Sequence, residues 1–372
     1  MSFFVSCGEP SGDYYAHMLA KNLRFSGYSG EIWGMGGPRA AEAGCRVVYD
    51  MNRLCLVGIS DVIPSLFSLY RLRNTLSEMI IAEQPEAVVV IDSPDFHLSL
   101  LKRIRKKGYT GRIVYLVPPT VWAWRSGRVR LLRDLCDICL PLFRFEHEFL
   151  LQNKANSAWT GHPLLDELAR SEYSTGNSSS KNSDYKIAIL PGSRKSEISR
   201  LFPLFLDLAE ELEEMDLRPV FSIAPGLPES VKAEMKRKLN GRKYYEGQGT
   251  ELIANTFLTV AASGTVSVEA MILDRFMVVA YRGSFLSWLV YRIFVRSGFV
   301  SMPNIITGQE IYPEFLQSKA NTVNLRESVR KYFENEDYRK SVHDMLAKAR
   351  KDLGQRGAGK FWAETLLELS AK

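Results

Sequence analysis

Two hydrophobic patterns alternate along the chain. Short, nearly continuous apolar runs are each followed by a longer stretch whose apolar residues recur at helical spacing. In the first half the runs are FFVSC, EIWGM, AVVVID, RIVYLV and DICLPLF, and in the second KIAIL, RPVFSIA, KYYEG, FLTVAA and RFMVVAY. A continuous apolar run suits a strand buried on both faces, and its alternation with amphipathic helices predicts parallel sheets joined by crossover helices. Between the two sets lies SEYSTGNSSSKNSDY, Ser171 to Tyr185, a polar stretch that reads as a linker or surface loop. The pattern predicts an α/β protein of two doubly wound, Rossmann-like domains, 1–170 and 184–340, followed by C-terminal helices over 341–372. Two such domains facing each other across a cleft would bring strand C-terminal ends to line it.

Composition adds limits. At 372 residues, with 46% apolar and 24% charged positions, the chain suits a soluble protein of two domains. Its formal charge of +6 is mild, compatible with an anionic ligand or surface without demanding one. Five cysteines, an odd number, argue against a disulfide framework. Cys136 and Cys139 form a C-x-x-C, but on a strand they would face opposite ways, and no second pair or H-x-x-x-H completes a metal site. The chain opens on a strand and has no run of about 18 apolar residues, so neither a signal peptide nor a spanning helix is expected. The expected location is cytoplasmic. The basic run KRIRKKGYTGR falls on an amphipathic helix and its end, a solvated face, and nothing predicts a nucleic-acid partner.

Candidate chemistry sits in the turns after the strands. CGEPSGD surrounds Glu9 and Asp13 with Gly8, Ser11 and Gly12 at a strand end. It is either a tight βα turn with Asp13 as a capping or first-turn acid, or a ligand-facing turn. VVVIDSPDFH puts Asp92 at a strand tip; Asp95, nearer the helical run, is the better cap, which leaves Asp92 free to face a cleft. His97 falls within the helix as a packed or surface residue. PPTVWAWR offers Trp122, Trp124 and Arg125 as a wall for a sugar, as an interdomain surface or as packing beneath a helix. In the second half, LPGSR places Gly192, Ser193 and Arg194 before one helix, and ASGTVSVE places Ser263, Gly264 and Thr265 before another that carries Glu269. Backbone N–H groups at helix starts, hydroxyls and a guanidinium fork suit phosphate oxygens. Glu269, a turn further on, suits a ribose. Together they predict a nucleotide-diphosphate site. No P-loop signature and no D-x-D are present, so neutralisation would fall to helix ends and Arg194 and not to a divalent metal.

GEPSGD, GGPR, IDSPDF, PPTVWAWR, GHPL, LPGSR, ASGT…E and SMPN, in this order over most of the chain, resemble the lipid-A-disaccharide synthases, membrane-associated glycosyltransferases of the GT-B class. The resemblance implies a UDP-2,3-diacylglucosamine donor, a 2,3-diacylglucosamine 1-phosphate acceptor, a β-1,6-linked product and no cofactor. It also implies Asp92 as general base; Glu9, Ser11 and Asp13 near the sugars; Asn304 lining the cleft; and Gly192, Ser193, Arg194, Ser263, Gly264, Thr265 and Glu269 on UDP. Pro10 and Thr120 stand where a small residue and Ser are expected, and Gln309 replaces an expected basic residue. Other readings are a GT-B-like epimerase, a transferase with a soluble acceptor, or a non-catalytic carrier of lipid or nucleotide sugar. An acylated acceptor requires contact with the inner face of an anionic membrane. VIPSLFSLYRLRN, Val62 to Asn74, is the candidate surface, with SFLSWLVYRIFVR, Ser284 to Arg296, as the second.

Overall fold

The structure, a computed structural model, describes residues 2–52, 62–170, 186–262, 264–283 and 298–371, without the side chains of 62–67 and 169–170. Among them, one sheet is built from β1 (Ser2–Cys7), β2 (Glu31–Gly36), β3 (Arg46–Asp50), β4 (Ala87–Ile91), β5 (Arg112–Leu116) and β6 (Ile138–Leu140). Its order is β3-β2-β1-β4-β5-β6. A second sheet contains β7 (Lys186–Leu190), β8 (Arg218–Ile223), β9 (Tyr244–Glu246), β10 (Leu258–Ala262), β11 (Phe276–Tyr281) and β12 (Glu314–Leu316), ordered β12-β11-β10-β7-β8-β9. All the ladders between these strands are parallel. Counted within its own sheet, each follows 3-2-1-4-5-6, the doubly wound dinucleotide-fold order. The continuous apolar runs have their explanation here: β4 and β10 are buried along their whole length, as central strands covered on both faces must be.

The chain divides into two compact units, Met1–Asp166 with Gly354–Lys372, and Glu167–Leu353. The helices expected over 341–372 as one segment therefore separate. Glu336–Lys351 belongs to the second unit, where Asp274 pairs with Arg350 (2.9 Å) and His343 (3.1 Å). The last helix, Ala358–Ser370, packs on the first unit, with Trp362 buried edge-on against Tyr15 at 5.9 Å. Gly359 permits the close approach, because a Cβ there would lie 2.5 Å from the Asn22 amide nitrogen. The polar stretch 171–185 lies outside the described residues.

In each sheet the strand order reverses beside the first strand. That reversal puts the turn after Cys7 next to the turn after Ile91, since these two residues are paired. In the second sheet the turns after Leu190 and Ala262 are neighbours in the same way. The candidate residues of each half thus emerge at a topological switch point.

Trp362→Ala should cost the first unit about 3–5 kcal/mol through the cavity it leaves. At roughly 2–4 °C per kcal/mol its transition should fall by about 10 °C in a thermal melt. An unchanged melt would mean that the last helix contributes nothing to that unit's core.

Candidate active site

Asp92 leaves β4 through an unusual turn. Asp92 and Ser93 are both left-handed, with φ of 54° and 43°, although a residue before proline is ordinarily extended. Left-handed backbone costs a non-glycine residue roughly 1–2 kcal/mol, so other contacts must hold it. The Asp92 carbonyl accepts hydrogen bonds from the Tyr115 hydroxyl (2.7 Å) and from His97 Nδ1 (2.8 Å). Its carboxylate lies against the start of the helix Pro10–Phe25, where Oδ1 accepts from the Gly8 N–H at 3.2 Å. Oδ2 is buried and has no hydrogen-bond partner among the described residues. Gly12 is obligatory beside it, because a Cβ there would stand 2.1 Å from Oδ2. Burial pushes the Asp92 carboxyl from 3.8 up to about 7; hydrogen bonds from Ser93 and Gly8 oppose the rise and the Glu9 charge adds to it. A carboxyl group so placed can exchange a proton near neutrality.

Glu9 and Ser11 are exposed in the same turn. Pro10 takes the first helical position, where its missing N–H is no loss, so the departure at this position is benign. Asp13 corrects the expectation placed on it. It is buried, and its two oxygens accept the backbone N–H groups of Gly37 (2.7 Å), Arg39 (3.0 Å) and Ala40 (3.1 Å). The side chain caps the short helix Pro38–Glu42 from outside, a structural task that leaves it no free oxygen for a sugar.

Asp95 also differs from expectation. It lies in the first turn of the helix Pro94–Lys106 but makes no cap bond; instead it pairs with Arg125 (3.0 Å) and Arg128. Those pairs tie the PPTVWAWR segment to the Asp92 turn. Trp122 donates to Glu146 Oε1 at 3.0 Å and packs edge-on against Phe145, so packing explains it. Trp124 is 39% exposed, with the Arg125 guanidinium 4.2 Å from its ring centre. Cys136 and Cys139 are not two positions of one strand: Cys136 ends the preceding helix and only Cys139 lies on the strand. Both thiols are buried, and the neighbouring Cys139 and burial push the Cys136 thiol well up.

In the second unit a cavity of about 440 Å³ opens at the switch point, lined by Gly192, Ser193, Arg194, Gly264, Thr265 and Glu269 among others. Ser263 lies outside the described residues. Arg194 caps the helix Lys195–Glu214 and extends a side chain that is 71% exposed. The N–H groups beside it are already occupied: Glu197 Oε2 accepts from Ser193 (3.1 Å) and from Arg194 (3.4 Å). Gly192, at φ 117°, makes room for that carboxylate. Glu269 accepts from the Thr250 hydroxyl at 2.7 Å, and burial raises its carboxyl pKa. Gly247 and Gln248 come from the turn after β9, and Gly249 and Thr250 open the helix Gly249–Ala254 that follows it; sequence reasoning missed them. The glycine pair in EGQGT was the available signal. Asn304 is a second correction. It is fully buried; its amide donates to Tyr312 O and Glu314 and accepts from the N–H groups of Ile311 and Tyr312, all within 2.7–2.9 Å. Its whole hydrogen-bonding capacity is thus used on the chain segment entering β12. Gln309 is exposed.

A family model described as "Lipid-A-disaccharide synthetase" matches residues 3–360. The lipid-A-disaccharide synthase of Myxococcus xanthus is 32% identical over 375 residues, covering 98% of this chain and 96% of its own. That of Pseudomonas putida is 34% identical over 328 residues, 87% of each. Among solved structures, UDP-GlcNAc 2-epimerase from Neisseria meningitidis bound to UDP-GlcNAc superposes with a TM-score of 0.65 at 14% identity, covering 99% of this chain and 100% of that one. An OtsA apo structure gives 0.60 at 10% identity, over 100% and 99%. These two likenesses concern the fold, and they place the chain among two-domain GT-B architectures.

The raised Asp92 carboxyl has a consequence for stability. Between about pH 4 and pH 7 the folded state holds a proton that the unfolded state has released, so stability falls as pH rises through that window. Asp92→Asn should therefore match the wild type near pH 4 and exceed its stability by about 2–4 kcal/mol at pH 8. Urea denaturation across that range is the check, and a pH-independent difference would contradict the burial.

Proposed function

The chain belongs to the lipid-A-disaccharide synthetase family, and we propose that it moves 2,3-diacylglucosamine from UDP to the 6-hydroxyl of 2,3-diacylglucosamine 1-phosphate, with Asp92 as base. UDP-sugar transfer in lipid A synthesis is its activity, and it is a glycosyltransferase. The observation that carries the role of Asp92 is its buried Oδ2 at the tip of β4, which has no hydrogen-bond partner among the described residues.

The acceptor hydroxyl fills that unmet hydrogen bond. As its oxygen attacks the anomeric carbon, the proton passes to Asp92, and the bond to UDP breaks on the opposite face, inverting the configuration. Such a base contributes about 10²–10⁴-fold. UDP departs with the bonding pair, and the developing charge is met by Arg194, by Gly264 and Thr265 before the helix Val266–Ile272 and, once Glu197 gives way, by the start of the helix Lys195–Glu214. These groups replace a divalent metal. Glu269 accepts from the ribose hydroxyls, while exposed Glu9 and Ser11 contact the sugars. The sequence relatives favour transfer over epimerisation, since the epimerase likeness is one of fold.

Asp92→Asn should lower turnover at least a hundredfold while UDP affinity by calorimetry stays within twofold. Arg194→Ala should show the converse emphasis, weakening UDP binding about tenfold or more. UDP release that needs the acyl acceptor, undiminished by a chelator, completes the expected pattern. Wild-type turnover in Asp92→Asn, or activity that magnesium restores after chelation, would overturn the assignments.

An acylated acceptor also calls for docking on the inner face of an anionic membrane. None of the described helices is long and apolar enough to cross a bilayer. The helix Val62–Glu83 opens with the apolar candidate segment; the side chains of Leu66 and Phe67 lie outside the described residues, and Tyr70 is 52% exposed. Arg73 is turned inward, bonded to the Ser99 hydroxyl at 2.8 Å with its guanidinium 4.5 Å from the Tyr70 ring centre, so Arg71 is the better surface cation. The second candidate, 284–296, lies outside the described residues. Phe67→Glu with Arg71→Ala should reduce sedimentation with anionic vesicles and activity on vesicle-borne substrate, and spare activity on detergent-dispersed substrate. A parallel loss of all three with the melting temperature would make the segment core.

A further inference from the structure

We infer that His97 and Tyr115, backed by Ser6, are positioning residues that aim the Asp92 carboxylate by gripping its peptide carbonyl; this rests on Asp92 being the base. Two buried side chains converge on that one oxygen, the Tyr115 hydroxyl at 2.7 Å and His97 Nδ1 at 2.8 Å. Both lone pairs of the carbonyl are thereby used. His97 and Tyr115 are fully buried, on the helix Pro94–Lys106 and on β5, so the grip spans two rigid elements.

The carbonyl is an acceptor only, which fixes the imidazole tautomer: Nδ1 carries the proton and Nε2 is bare. The Ser6 hydroxyl, 2.8 Å from Nε2, must then donate to it. Ser6 lies on β1, beside the strand that Asp92 leaves, so the bracket links β1, β4, β5 and the following helix. Burial pushes His97 down to about 4, which keeps it neutral at working pH.

The carbonyl grip matters because of the backbone it restrains. Asp92 and Ser93 occupy consecutive left-handed conformations, and relaxing either would swing the Cα–Cβ bond and move the carboxylate off the acceptor hydroxyl. Misplacement of a reacting group by about 1 Å costs on the order of 10²-fold. Packing alone would not require two donors on this one oxygen.

Four variants test the inference: Tyr115→Phe, which deletes one donor; His97→Leu, which deletes the other at similar volume; His97→Asn, which returns an amide donor; and Asp92→Asn. Tyr115→Phe and His97→Leu should each lower kcat roughly 10- to 100-fold, with the donor KM and the UDP Kd within about twofold. His97→Asn should recover most of the His97→Leu loss. Placed on Asp92→Asn, Tyr115→Phe should lower the residual rate no further, since the bracket acts through that carboxylate. If Asp92→Asn is inactive but Tyr115→Phe turns over like the wild type, the bracket is refuted and the base assignment survives. If Asp92→Asn is active, the base assignment itself fails. Should His97→Leu not fold, Tyr115→Phe and its combination with Asp92→Asn decide; a full additional loss in that combination would show a general structural role and overturn the inference.

Discussion

Right-handed crossovers allow a parallel sheet to be covered on both faces only if the chain reverses direction across it once. At the reversal, the helices that follow two neighbouring strands leave toward opposite faces and open a crevice above the strand ends. Both sheets here reverse beside their first strand, between β1 and β4 and between β7 and β10. Each crevice receives two turns, and those four turns carry nearly all the candidate chemistry. The apolar β4, and β10, apolar but for the buried Thr259, serve this arrangement by being central enough to have both faces covered, which leaves the turns after them as the first groups able to meet a ligand.

The two crevices treat charge in opposite ways. In the first unit a carboxylate is buried beside Gly12 with one oxygen unpartnered among the described residues, so burial chiefly sets its proton affinity. In the second unit the helix-start N–H groups are paired with Glu197, which stands where phosphate oxygens would stand. Backbone donors are seldom left unsatisfied. On the proposed reading, a diphosphate reaching this turn would have to exchange with an internal anion, with the exposed Arg194 and the neighbouring turn supplying the gain.

The fold was legible because strand burial and helix period are written in local pattern, and the turn residues at strand tips followed from it. Asp92 and the lining of the second cavity could be located for that reason. Asp13 and Asn304 could not be assigned correctly. A first-turn acid looks the same in sequence whether it faces a sugar or caps a helix that begins 25 positions later at Pro38. Asn304 likewise serves a segment whose backbone donors carry no sequence signature. His97 was illegible for a related cause: its partner is a carbonyl, and no residue type announces a carbonyl. The division of the C-terminal helices between the units depended on Trp362 meeting Tyr15, a long-range contact that local periodicity does not encode.

The same electrostatics explains which groups may hold the Asp92 turn. An opposite charge within about 4–6 Å lowers a carboxyl pKa by 1–3 units, so a Lys or Arg gripping this turn would return Asp92 to an ordinary, feebly basic carboxylate. The contacts found are a phenol, a neutral imidazole, the Ser93 side chain and a backbone N–H. Each supplies direction without net positive charge. The nearby guanidiniums of Arg125 and Arg128 are drawn to Asp95, where they fasten the adjoining segment while that exposed carboxylate offsets part of their charge. Asp95, read from sequence as a helix cap, thus has a different use: it pairs with the cations of the neighbouring loop, and the carboxylate three residues earlier keeps the proton affinity that burial gives it.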